Sequence, residues 1–167
     1  MAQAREVFSI EEQALAQTRR RLDVGFIDSV NLIKSARGRV VVIGVGKSGL
    51  IGRKLAATLT STGTSAVFMH PAEAMHGDLG MITTQDVVLA LSFSGEAKEL
   101  RDLLPYIKER GAGVIGLTGK KTSRLAKASD CVLAVSVSKE ACPFNITPTA
   151  STTAMLELGD ALAIALM

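Results

Sequence analysis

Three short segments of the sequence bring together residue types that can do chemistry side by side. Gly44-Val45-Gly46-Lys47-Ser48-Gly49 offers a cation, a hydroxyl and a backbone relaxed by glycines. Ser92 to Glu99 sets Ser92 and Ser94 beside Gly95, Glu96 and Glu99, and Ser136 to Glu140 adds further hydroxyls, Lys139 and Glu140. Glycines let backbone amides approach a ligand closely. Unpaired N–H groups at a helix start attract phosphate, and hydroxyl donors enlarge the cradle. Carboxylates beside such a cradle can move protons, and a lysine can hold a developing oxyanion. The combination describes acid–base work on a small phosphorylated molecule.

Each segment follows a short apolar run. Val40 to Val45 reads as a strand buried on both faces, the habit of parallel sheets. Ser48 reads as the N-cap of a helix that runs to about Thr62 and is closed by Gly63. Further strands are expected at Ser65–Met69, from Asp86 through VVLALS, at Ala112–Leu117 and at Cys131–Val135. Helical stretches are expected at Ala72–His76, Ala97–Arg110, Ser123–Ala128 and Pro148–Met167. This alternation predicts an α/β fold, a parallel open sheet with helices on both faces. Ligands of such sheets bind where loops leave the carboxyl ends of the strands, so the three segments should face one crevice. Residues 3 to 36 read as helical with a partial apolar stripe broken near Gly25, an N-terminal arm (1–36) ahead of the domain at 37–167. Such an arm either covers the sheet or contacts another subunit.

Composition narrows the partners. The chain is 47% hydrophobic and 21% charged, as a globular protein is. Aromatics make up only 4% and tryptophan is absent, which argues against a base-stacking nucleic-acid platform. A net charge of +3, with Lys and Arg scattered among acids, suits an anionic small ligand better than a DNA stripe. Cys131 and Cys142 show no CxxC spacing and no secretory leader precedes them, so reduced thiols and a cytoplasmic location are expected. No apolar run approaches the roughly 20 residues of a membrane span. GVGKSG also fits the dinucleotide fingerprint G-x-G-x-x-G, but the second strand ends in Met69-His70 without the acid that would hold a ribose. A Walker A loop fails because Val41 stands where its first glycine belongs.

Ser92-Phe93-Ser94-Gly95-Glu96 resembles the S-x-S-G-E signature of sugar isomerase (SIS) domains, whose hydroxyls and amides hold a sugar phosphate. That family often has Thr or Ser where this chain has Ala97, so one hydroxyl is missing, with Ser48 or Thr64 as candidates to replace it. GVGKSG, HPAEAMHGDLGM, SFSGE, KEACP (Lys139 to Pro143) and PTASTTAMLELG (Pro148 to Gly159) together are similar to the D-arabinose 5-phosphate isomerase family. The resemblance implies a three-layer αβα sandwich with a five-stranded parallel sheet, assembled as a homotetramer. It also implies interconversion of ribulose 5-phosphate and arabinose 5-phosphate at the head of Kdo synthesis for lipopolysaccharide. By the same resemblance, Lys47, Glu99, Glu140 and His76 are the catalytic candidates. Gly46, Ser48, Gly63, Thr64, His76, Ser92, Ser94 and Gly95 are the substrate-binding ones. His70 matches a histidine that binds an inhibitory zinc in relatives. Family members continue into a Ser-His-Pro-Gly-Gly segment whose histidine counts among the catalytic groups, and many then carry a pair of CBS modules. The sequence stops at Met167, ahead of both, so an excised domain or a shortened homologue is expected.

Aldose–ketose isomerisation passes a proton between C1 and C2 through an enediol. Glu99 or Glu140 would be the base and the other would shuttle protons on the oxygens. Lys47 would steady the enediolate, and His76 would bind or polarise the hydroxyl end. No metal or redox cofactor is required, and neither nucleic acid nor membrane is a partner. Two other readings fit the same residues: a non-catalytic phosphosugar sensor, and an isomerase of another phosphosugar.

Overall fold

Val40 to Ile43 lie at the heart of a five-stranded sheet in the computed structural model, which describes all 167 residues. The strands are β1 (Val40–Gly44), β2 (Ala66–Met69), β3 (Val87–Leu91), β4 (Gly113–Thr118) and β5 (Cys131–Ala134). Their order is β2-β1-β3-β4-β5, and every pair is parallel. Helices α1 (Ala2–Arg20), α2 (Val24–Ser35), α3 (Gly46–Ser61), α4 (Pro71–Met75), α5 (Lys98–Glu109), α6 (Arg124–Ala128) and α7 (Ala150–Leu166) complete the fold, with a 3-10 turn at Asp78–Met81.

Side chains alternate across the strands, and each face finds its own apolar partners. Val40 and Val42 join Leu89, Leu117, Leu55 of α3 and Leu158 of α7 in one core. Val41 and Ile43 join Val88, Val114, Leu103 of α5 and Leu125 of α6 in the other. Both faces are covered, which is why β1 and β3 are buried along their whole length. The expected αβα sandwich is therefore present. α5 shows how a helix acquires its seat: Leu100, Leu103, Leu104 and Ile107 recur at the helical spacing and all are buried.

Of the N-terminal helices, α2 covers the sheet and α1 packs outside it on α7. Ile33 of α2 belongs to the core that includes Leu133 of β5, and α1 lies along α7, where Ile10 and Ala14 meet Ala150. The expected break near Gly25 falls instead at 21–23. Asp23 caps α2 by accepting from the Gly25 N–H at 3.0 Å, so Gly25 sits inside the first turn. α3 also begins earlier than expected: Val45 is its N-cap, without a side-chain bond, so Ser48 lies in the first turn and is not the cap. Its other end closes as expected. Thr64 N–H reaches Leu59 C=O at 2.8 Å and Gly63 N–H reaches Thr60 C=O at 3.2 Å, a Schellman closure in which Gly63 adopts φ +96°. No helix is long and apolar enough to cross a membrane.

Candidate active site

The chain leaves β1 towards β2 on one side and resumes with β3 on the other. Loops that depart in opposite directions open a crevice at this switch point, above the carboxyl ends of β1 and β3. The Val45–Ser48 and Ser92–Ala97 segments are those two loops. Gly44 and Gly49 let α3 lie close to the strand it follows: a Cβ on Gly49 would stand 2.7 Å from the Gly44 carbonyl oxygen. The first-turn amides of α3 have no intrahelical acceptor and face the strand ends, as a phosphate site requires.

The Ser92–Glu96 turn is held from beneath. Ser92 is buried and its Oγ accepts from Gly95 N–H at 3.1 Å. Gly95 adopts φ +67°, and its carbonyl accepts from Leu125 N–H at 3.1 Å. Ser94 Oγ accepts from Glu96 N–H at 3.2 Å and stays exposed, with its own hydrogen free for a ligand. Glu96 turns away, accepting from Arg124 N–H at 2.9 Å at the start of α6. Ser92 and Gly95, expected among the ligand-binding groups, therefore build the turn. Ser94 is the member of the three that is presented.

Glu140 lies at the start of α7. Its Oε2 accepts from Thr149 N–H at 2.8 Å, Thr149 Oγ1 at 3.2 Å and Ser151 N–H at 3.1 Å. Burial pushes its carboxyl upward, but the bonds from Ser151 and Thr149 outweigh that effect and hold its pKa below the ordinary glutamate value. Its Oε1 accepts from no protein donor. A cleft of about 260 Å³ lies against it, walled by Ser48, Phe93, Val137, Ser138, Asn145 and residues at the start of α7. Glu140 is the only carboxylate in that wall. Lys47 and Ser94 are exposed chain neighbours of Ser48 and Phe93, and neither is itself part of the cleft wall.

Other expected residues are placed differently. Glu99 is exposed in the first turn of α5, and His76 is exposed at the end of α4 beyond the edge strand β2; neither lines the cleft. Gly46, with φ +57°, starts α3 beside Lys47. Gly63 and Thr64 are corrections: they precede β2, at the amino end of the sheet, across its length from Ser94. Thr64 borders a hollow with Lys34 and Arg39 at that end, so it cannot supply the hydroxyl missing at Ala97 within this chain. His70 uses its Nδ1 to accept from Ala72 N–H at 3.2 Å as the N-cap of α4, and no group of three ligating side chains gathers anywhere in the chain. The residues present do not make a zinc site around it.

Thr149, Ser151, Asn145 and Phe93 are parts of the site that sequence reasoning did not single out. Pro148 and Thr149 ahead of a helical pattern were a usable signal for a helix start, and hence for where a carboxylate would be held. Phe93 carried no such signal.

The sequence matches the SIS domain over residues 32–165. It is 52% identical, over 98% of its length and 50% of the relative, to the arabinose 5-phosphate isomerase KdsD of Pseudomonas aeruginosa. It is 49% identical, over 98% of its length and 51% of the relative, to the arabinose 5-phosphate isomerase GutQ of Escherichia coli K12. Among solved structures, E. coli CFT073 c3406 in complex with arabinose 5-phosphate superposes with a TM-score of 0.94 at 40% identity, covering 98% of this chain and 87% of that one. The chain spans about half the length of the curated relatives it matches.

Proposed function

This chain belongs to the SIS domain family, and from that premise we propose that it is an isomerase unit interconverting D-ribulose 5-phosphate and D-arabinose 5-phosphate through an enediol. The observation that carries the proposal is the cleft at the switch point, where the first turn of α3 at Ser48 and the single carboxylate of Glu140 share one wall. A relative 40% identical to this chain is in complex with arabinose 5-phosphate, which supports the same ligand here.

The phosphate sits at the strand ends, held by first-turn amides of α3 and by the hydroxyls of Ser48 and Ser94. Glu140, ionised at neutral pH, takes the proton from C1 of the ketose on its free Oε1, exchanges it with water, and delivers a proton at C2. Lys47, the residue before Ser48, carries the charge that develops on the enediolate oxygen. The step needs a base, a proton shuttle and an oxyanion partner, so it uses no redox cofactor or metal. The activity belongs to the cytoplasmic supply of Kdo, in a homotetramer.

The test is turnover of D-ribulose 5-phosphate, read beside thermal shifts with pentose and hexose phosphates. Formation of D-arabinose 5-phosphate by the wild type, lost in Glu140→Gln, supports the proposal. A thermal shift without turnover of any sugar would overturn it in favour of a sensor.

A further inference from the structure

Glu140 is held by donors of two kinds. The N–H groups of Thr149 and Ser151 belong to the cap and first turn of α7, where backbone donors lack intrahelical acceptors whatever the sequence. The Thr149 hydroxyl is different, because only its side chain provides it. Thr149 Oγ1 accepts from Ala141 N–H at 2.8 Å, so its one hydrogen is left to donate to Glu140 Oε2 at 3.2 Å. The same hydroxyl therefore ties together the residue after Glu140, the carboxylate itself and the start of α7. From the other side, Glu140 N–H donates to Asn145 Oδ1 at 2.7 Å.

Resting on the reading of Glu140 as a catalytic carboxylate, we propose that Thr149 is a positioning residue that dictates which oxygen of Glu140 meets the substrate. With three donors on Oε2 and none on Oε1, the carboxylate cannot rotate without losing hydrogen bonds. Proton uptake is confined to Oε1, the oxygen left for the cleft. Thr149→Val keeps the shape but neither accepts nor donates. It leaves the Ala141 N–H unpaired and takes one of three donors from Oε2.

The experiment compares Thr149→Val and Thr149→Ser with the wild type for kcat and KM on D-ribulose 5-phosphate across pH, with melting temperature beside them. Thr149→Val is expected to lower kcat about tenfold with KM nearly unchanged, and to move the acid limb of kcat/KM to higher pH, the consequence of losing a hydrogen bond to a charged group. Thr149→Ser restores both. A Thr149→Val enzyme with the wild-type kcat and acid limb overturns the proposal, as does Thr149→Ser equally impaired while it melts like the wild type. If Thr149→Val does not fold, Thr149→Cys, a weak donor and acceptor, takes its place with the same criteria. Glu140→Gln separates the underlying reading. Wild-type turnover in that variant removes Glu140 from the chemistry and Thr149 with it, whereas an inactive Glu140→Gln beside an unperturbed Thr149→Val rejects only the positioning role.

Discussion

Gly95→Ala tests how the phosphate-binding turn is built. A Cβ on Gly95 would stand 2.1 Å from Ser123 Oγ, 2.4 Å from Ser123 Cβ and 2.9 Å from Thr118 Oγ1, all inside contact distance. The backbone there has φ +67°, where an L-residue is disfavoured by roughly 1–2 kcal/mol. Forcing a methyl into filled space adds about 1–3 kcal/mol. Ser123 cannot simply step aside, because its Oγ caps α6 by accepting from Ala126 N–H at 3.2 Å, a bond worth about 1 kcal/mol. The sum is about 3 kcal/mol or more, a large part of the roughly 5–15 kcal/mol that domains possess. At an m-value of about 2 kcal/mol/M, the urea midpoint should fall by about 1.5 M. Gly63→Ala is the control: φ is +96° with no atom within 4 Å of the added Cβ, so backbone strain is the whole effect. Urea unfolding of both variants at one protein concentration should show Gly95→Ala losing at least twice what Gly63→Ala loses. Equal losses, or a Gly95→Ala midpoint within error of the wild type, would refute the steric reasoning.

Asp86 is buried ahead of β3, accepting from Arg39 N–H and Thr83 N–H at 2.8 Å each. Burial raises its pKa, but these bonds outweigh it and the net value lies below the ordinary aspartate range. Its contribution is therefore complete above pH of about 3.9 and is lost as pH falls through the lower folded value. Asp86→Asn should flatten the acid side of a stability–pH curve, and an unchanged slope would contradict this. The Cys142 thiol is lowered to about 7 by the backbone N–H groups of Thr147, Ile146 and Phe144, while burial raises that of Cys131. Iodoacetamide should modify Cys142 first, with a rate midpoint near pH 7; preferential labelling of Cys131 would contradict the assignment.

Much of the fold was legible because short, valine-rich apolar runs such as Val40–Ile43 and Val87–Leu91 suit strands buried on two faces, and Gly63 marks a helix end by its own geometry. The parallel sheet with helices on both faces followed from the alternation of strands and helices, whereas the order β2-β1-β3-β4-β5, which opens the crevice, came from the structure. Boundaries were less visible. Two glycines near 44–46 let α3 begin at Gly46 without a capping side chain, and Asp23 moved the break in the N-terminal arm. In the site, Ser48 and Glu140 share the cleft wall and Ser94 is exposed, while Ser92 and Gly95 look inward. Nothing in the local pattern distinguishes a hydroxyl that faces a ligand from one that braces a turn. The hold of Thr149 on Glu140 spans nine residues of irregular chain, a contact that no periodicity encodes.

The central claim is that a carboxylate in the switch-point cleft moves a sugar hydrogen through an enediol. Incubating the protein with D-ribulose 5-phosphate in heavy water and reading the product by NMR tests it directly. The wild type should yield D-arabinose 5-phosphate carrying solvent deuterium at C2, and Glu140→Gln should yield neither product nor exchange. Product free of deuterium, or wild-type exchange by Glu140→Gln, would contradict the account.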